Sequence, residues 1–455
     1  MTTSPPAPSA PQVREGLLSS RYAATTAGMF ALVFFSAFEA LAVTTVMPGV
    51  ARELDGVRLY ALSFAAPLAS GVVGMVLTGW WSDRRGPGTP LLASIGAFTV
   101  GLVVCGLAPT MPVLVAGRLL QGLGGGGLTV GLYVVVGVVF PTALQPALFA
   151  SFAAAWVLPS LVGPSAAAWV AGLVGWRWVF LGVVALVGLA TVLVLPAVRA
   201  LPPPTEPDPA RPGDPGGRRL GWAVVAAVAV LALDLVGQRA LALSVLAGVL
   251  VLVAVRPLVP PRTLRAAPGL PSVILARGML SAGFFSAEAY LPFVLQEQWA
   301  WSPTSAGAAL AAAGLSWTLA SHVQARLRDR WTDQRAILVG AAGLTLGVAG
   351  AFAAVALDAP AAALVSSYGL SAAGMGIGYP RTSVATLSAS DDRDRGFNSS
   401  ALSVADSLGG ALALAVSGVL FATEASFSAV YAGAVGWALL AVVAATRARP
   451  LPAAA

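Results

Sequence analysis

Four charged side chains stand inside long apolar runs of this sequence, and their types decide what chemistry is open to it. Glu39 lies in "FFSAFEA" (34–40), Glu288 in "FFSAEA" (284–289), Arg118 in "GRLLQGLGGGG" (117–127) and Asp406 in "SVADSLGG" (403–410). An ionisable group at membrane depth costs roughly 2.5–3.5 kcal/mol on insertion scales, so it usually faces a polar interior and has a role. A carboxyl drawn out of water resists ionisation, and an arginine beside it favours the ionised form. Such a pair can take up a proton on one side of a membrane and release it on the other. Glu39 and Arg118 are therefore the candidates for proton coupling. Glu288 and Asp406 are the candidates to line a substrate cavity, where a carboxylate attracts a cation. The competing readings are a structural hydrogen bond for either glutamate, interfacial snorkelling for Arg118, and a reach to the membrane surface for Asp406.

Other chemistries are poorly served. One histidine, His322, and one cysteine, Cys105, rule out a His- or Cys-clustered metal site and an internal disulfide framework. A membrane-embedded enzyme would need clustered acids, His or Cys on facing helices. A channel would need a repeated polar ring, and none is written here. Gly122, Gly124 and Gly127 formally spell a nucleotide-binding Gly-x-Gly-x-x-Gly, but no strand precedes them and they lie within an apolar run. Their small size instead lets helices approach closely. No cofactor, metal or nucleic-acid partner is expected.

The elements that must hold these charges are membrane helices. Hydrophobic residues make up 57% of the 455, and charged residues only 10%, against about 25% charged in soluble domains. The mean hydropathy is +0.83. A spanning helix needs roughly 20 apolar residues. Such runs fall at about 22–48, 60–81, 90–108, 111–137, 146–172 and 177–197, then 220–236 and 240–256, then 271–295, 303–325, 336–357, 359–380, 398–421 and 425–446. They are apolar on all faces, unlike the short alternating strands of a membrane barrel. The expected fold is an all-α membrane protein of about 14 transmembrane helices: two six-helix bundles with a central two-helix insertion.

The domains expected are a disordered cytoplasmic tail at 1–21, the first bundle at 22–198, and a Pro-, Gly- and charge-rich cytoplasmic linker at 199–219. The insertion follows at 220–256, the second bundle at 257–447 and a tail at 448–455. Twelve spans with a re-entrant hairpin at 220–256 remain an alternative. All 26 basic residues are arginines. With the N-terminus inside, 21 fall on that side and four, Arg52, Arg58, Arg177 and Arg239, on the other, with Arg118 within a span. So steep a bias places both termini in the cytoplasm. Asp234, near the end of the seventh run, is expected at the interface.

The two six-run blocks repeat each other. Glu39 and Glu288 are 249 residues apart, in matching contexts. "GWWSDRRG" (79–86) is echoed by "ARLRDRWT" (325–332), which sets Asp83 and Asp329 246 residues apart and pairs Arg84 with Arg330. Two parallel repeats that rock about a site between them are the architecture of a transporter.

The motifs resemble the major facilitator superfamily over nearly the whole chain. Gly79, Asp83, Arg84 and Gly86 match its loop signature between spans two and three, although Pro87 and Gly88 stand where its basic tail would be. Arg118, Gln121 and Gly122 resemble its fourth-span motif. "GPSAA" (163–167) resembles its antiporter motif in Gly163 and Pro164, with Ala166 and Ala167 replacing two glycines and Pro159 an upstream one. "EALAVTTVMP" (39–48) is similar to the first-span motif of the fourteen-helix drug:proton antiporters, keeping an acid nine residues before a proline.

The resemblance implies a proton-coupled exporter working by alternating access, in the plasma (inner) membrane of a bacterium. It further implies a conformational gate at Gly79, Asp83, Arg84, Gly86, Asp329 and Arg330, and a kink in the fifth helix at Pro159, Gly163 and Pro164. The expected partners are protons, the lipid bilayer and an amphipathic or cationic small molecule, and the chain is expected to be a monomer. A proton-coupled importer of a small solute, and a non-transporting membrane receptor or scaffold, are the alternatives.

Overall fold

The computed structural model describes residues 16–201, 215–237, 241–327, 329–391, 394–424 and 426–449. Most of the two expected tails and of the linker, with Arg239, Arg328 and Arg393, lies outside the described residues. The first bundle holds α1 (Ala23–Glu53), α2 (Tyr60–Arg85), α3 (Gly88–Gly106), α4 (Met111–Val139), α5 (Gln145–Val174) and α6 (Arg177–Arg199). The insertion is α7 (Pro215–Gly237) and α8 (Leu241–Val255). The second bundle holds α9 (Leu270–Gln298), α10 (Pro303–Arg326), α11 (Asp333–Ala356), α12 (Ala361–Ser388), α13 (Arg395–Glu424) and α14 (Phe427–Thr446). No strand occurs among the described residues. Among the described residues twelve helices are long and apolar enough to cross a membrane. The exceptions are α10, diluted by Ser, Thr and Gly, and α8. The 15 residues of α8 rise only about 22 Å against a hydrocarbon core of about 30 Å.

The repeat written in the sequence is present in the packing. In the first bundle α4 packs on α2 and α3, α1 on α5 and α6, and α3 on α6. In the second, α12 packs on α10 and α11, α9 on α13 and α14, and α11 on α14, which is the same pattern. Glycines set the closest approaches. A Cβ on Gly126 of α4 would lie 2.0 Å from the Gly71 carbonyl oxygen of α2, and one on Gly409 of α13 would lie 2.2 Å from the Gly278 carbonyl of α9. Only bare backbone fits there, which is how membrane helices gain van der Waals contact without a hydrophobic drive.

The bundles meet along two seams, α2 on α13 and α5 on α10. Helix α7 lies across the first seam and touches both α2 and α13. Asp234, three residues from the end of α7, is fully buried within the protein, and a Cβ on Gly418 of α13 would meet its carboxylate at 2.7 Å. The sequence places it near a helix end, but α7 is covered there by the second bundle.

Candidate functional site

In the first bundle, α1 and α4 bring Glu39 and Arg118 together. Glu39 is 3% and Arg118 4% exposed, and the guanidinium donates to the carboxylate in a direct ion pair. Arg118 is not snorkelling. Its Nε donates to the Ser63 carbonyl of α2 at 3.0 Å, and its terminal nitrogen also donates to Gln121 Oε1 at 2.7 Å. Gln121 is one helical turn along α4, so the "RLLQ" spacing puts both side chains on one face. The charge is thus held by three helices and hidden from solvent.

The second bundle builds a different polar centre. Arg277 of α9 donates from Nε to Asp406 of α13 at 2.9 Å. It also donates to the Tyr379 carbonyl at 3.1 Å and the Thr382 hydroxyl at 2.9 Å, both on α12. Its guanidinium lies 3.2 Å from the centre of the Tyr379 ring. Asp406 accepts further bonds from the Tyr379 hydroxyl, at 2.8 Å, and from Ser281. Asp406 is therefore tied into a three-helix network. Tyr133 of α4, half exposed, lies within electrostatic range of Arg277 from the other bundle.

Glu288 stands apart from both networks. It is half-buried on α9 and, among the described residues, makes no hydrogen bond or ion pair. Its neighbourhood is aromatic. Phe284, one turn before it, stacks on Tyr368 of α12 at 5.3 Å and meets Trp317 of α10 edge-on at 5.2 Å.

The arginine-poor end of the molecule is closed between the bundles. The Tyr60 hydroxyl of α2 donates to the Ala289 carbonyl of α9. Tyr60 also joins Tyr290, Phe293, Phe421 and Phe427 in one aromatic cluster. Arg52, at the end of α1, pairs with Glu297 and donates to Gln296 at the end of α9. Helix α5 runs helical through Pro159, Gly163 and Pro164, so the two prolines remove backbone donors without interrupting the helix. Pro164 lies on the second seam, where Gly307 of α10 faces it and Gly314 faces Ser160.

The two loop motifs are not equivalent. Asp83 and Arg84 are exposed in the last turn of α2, with Arg84 stacked 4.3 Å over Trp80. Gly79 lies one turn earlier in α2, and Gly86 ends that helix at φ +74°, a conformation that suits glycine. In the second bundle Asp329 and Arg330 are exposed in a turn. The inward tie there runs instead from Arg381 of α12, 7% exposed, to Asp333 at the start of α11, at 2.8 Å. In the sequence Arg277 and Arg381 count among the 21 arginines of the cytoplasmic side. Arg277 lies six residues inside its apolar run and Arg381 one residue past the end of its run, and α12 continues to Ser388, so both side chains fall inside helix and turn inward.

The sequence profile of the Major Facilitator Superfamily matches residues 29–392, with a second match over 273–455. Among curated relatives, a Mycobacterium tuberculosis protein named "Probable multidrug-efflux transporter" is 28% identical over 438 residues, covering 89% of each chain. The multidrug transporter protein MdtP of Bacillus subtilis is 30% identical over 183 residues, covering 39% of this chain and 34% of that one. Among solved structures, an auto-inhibited peptide transporter of the POT family superposes with a TM-score of 0.69 at 17% identity, covering 94% of this chain and 98% of the other. A D-xylose–proton symporter superposes with a TM-score of 0.63 at 16% identity, covering 93% and 95%. At these identities the structural likeness carries the fold.

Proposed function

The chain belongs to the Major Facilitator Superfamily, and from that premise we propose that this multi-pass membrane transporter is a proton-coupled antiporter that exports amphipathic or cationic small molecules. The fully buried Glu39–Arg118 pair carries the reading. An ion pair at this depth is poor value as a structural tie, because desolvation offsets much of its attraction. It is well suited to switching. When Glu39 takes up a proton its charge vanishes, Arg118 loses its counter-ion, and the bonds joining α1 to α4 and α2 must rearrange. A proton taken up on one side is thereby converted into a change of helix packing.

The orientation proposed puts both termini in the cytoplasm and the closed aromatic end outside. In this state Glu39 has given up its proton and rests on Arg118. Opening the outer end requires breaking the Tyr60–Ala289 bond and the Arg52–Glu297 pair. Asp83, Arg84, Asp329 and Arg330, at the opposite end, are the proposed latch of the alternate state, with the α5–α10 seam at Gly163–Pro164 as the surface that slides. Uptake by inside-out proteoliposomes under an imposed pH gradient tests the reading. Wild-type protein is expected to accumulate substrate only with the gradient, and Glu39→Gln to show no gradient-driven flux. Equal gradient-driven flux by Glu39→Gln would remove Glu39 from coupling.

A further inference from the structure

The internal repeat allows the two glutamates to be compared residue by residue. Glu39 and Glu288 are 249 residues apart, and Arg118 and Tyr368 are 250 apart. The helix pair α1–α4 of the first bundle corresponds to α9–α12 of the second. Tyr368 thus occupies the place in the second bundle that Arg118 holds in the first. The carboxylate has been kept and its cation has not. Tyr368 is 0% exposed, its hydroxyl has no hydrogen-bond partner among the described residues, and it lies within electrostatic range of Glu288. Phe284 lines one side, while Trp317 of α10 and Phe285 of α9 are both half-buried and remain accessible. A second α9 contact points the same way. Phe285 and Leu68 of α2 converge on Gly410 of α13 from opposite bundles, so this face of α9 looks onto the junction between them.

We propose that Glu288, Tyr368, Phe284 and Trp317 form a binding site for a monovalent organic cation, whose positive charge takes the place that Arg118 fills for Glu39. A half-buried acid and a buried hydroxyl without partners are costly when the site is empty. A ligand with a quaternary or protonated nitrogen, or another diffuse positive centre, satisfies the acid. It also gains cation–π contact with Trp317, the aromatic ring that favours it most. A neutral ligand of the same shape gains only the aromatic contact. The inference rests on the transporter reading and gives it a substrate class.

The test is equilibrium binding to the detergent-purified full chain, with tetraphenylphosphonium as the cation and triphenylphosphine oxide as a neutral probe of related shape. Wild-type protein should prefer the cation. Glu288→Gln should weaken tetraphenylphosphonium binding roughly tenfold or more and change binding of the neutral probe less than about twofold. Tyr368→Arg, which restores the internal cation of the first bundle, should abolish cation binding. If that variant does not fold, Glu288→Gln decides alone. Equal cation affinity in Glu288→Gln and wild type, equal loss of both probes, or no cation binding by wild type would overturn the site. Cation binding that behaves as expected, in protein that shows no pH-driven flux, would overturn the exporter reading and leave the site standing.

Discussion

Glu39 and Glu288 occupy the same position in two copies of one helix pair, yet the protein treats them differently. Glu39 is enclosed, and a guanidinium on a neighbouring helix meets its charge. Glu288 is half-buried beside an unpartnered tyrosine hydroxyl and an aromatic wall. Each half carries an acid, and on the proposed reading the different partner separates two tasks. A carboxylate with a built-in cation responds to protons, because protonation is the event that breaks its pair. A carboxylate without one responds to whatever positive charge arrives.

The largest expected effect comes from leaving the enclosed acid without its partner. Arg118→Ala strands Glu39 in a dry site, and breaking a buried pair from one side costs roughly 3–5 kcal/mol. Purified Arg118→Ala should unfold well below the wild-type temperature. Adding Glu39→Gln should recover part of the loss, because the two sites are coupled. A single variant as stable as wild type would mean that Glu39 is already neutral in this state, and the contrast between the halves would lose its basis.

Asp406→Asn sharpens the comparison from the other bundle. It removes the counter-charge of Arg277, but Tyr379, Thr382 and Ser383 still accept from or surround that guanidinium. The cost should be smaller, about 1–3 kcal/mol. Because this network lies apart from Glu39, the variant should keep gradient-driven flux at reduced rate. Complete loss of proton-driven transport in Asp406→Asn, in stable protein, would move the coupling into the second bundle.

Arg52→Gln should have the smallest effect. Both side chains of the Arg52–Glu297 pair are 45% exposed, and such pairs contribute under about 1 kcal/mol. Its expected signature is a modest shift toward the outward-open state, read as increased labelling of a cysteine placed at Ala289 by an external thiol reagent. No change in labelling would assign closure to the Tyr60 aromatic cluster alone.

Much of this was legible in the sequence. Apolar runs of some twenty residues with Pro, Gly and Arg between them marked the fourteen α-helices of the described residues. The paired glutamates and Asp-Arg echoes marked the repeat. The Glu39–Arg118 meeting followed from two isolated charges in grease. What escaped depended on neighbours distant in the chain. Arg277 is six residues inside its apolar run, and only α12 and α13, more than a hundred residues on, make it a buried network residue. Asp234 is hidden because α7 lies across a seam between bundles. Tyr368 carries no signal at all until α9 and α12 are superposed in thought on α1 and α4. The sequence also paired Asp329–Arg330 with Asp83–Arg84, whereas the buried tie of the second bundle falls at Asp333 and Arg381.

The division of labour between the two glutamates is tested most directly by proton release on binding. Tetraphenylphosphonium is added to detergent-purified protein in weak buffer with a pH indicator. Wild-type protein, equilibrated at a pH where part of it is in the alternate state with Glu39 protonated, should release protons as binding draws it into the state with Glu39 paired to Arg118. Glu39→Gln should bind the cation and release none. Proton release by Glu39→Gln equal to that of wild type would contradict the account and place the transported proton on Glu288 or Asp406.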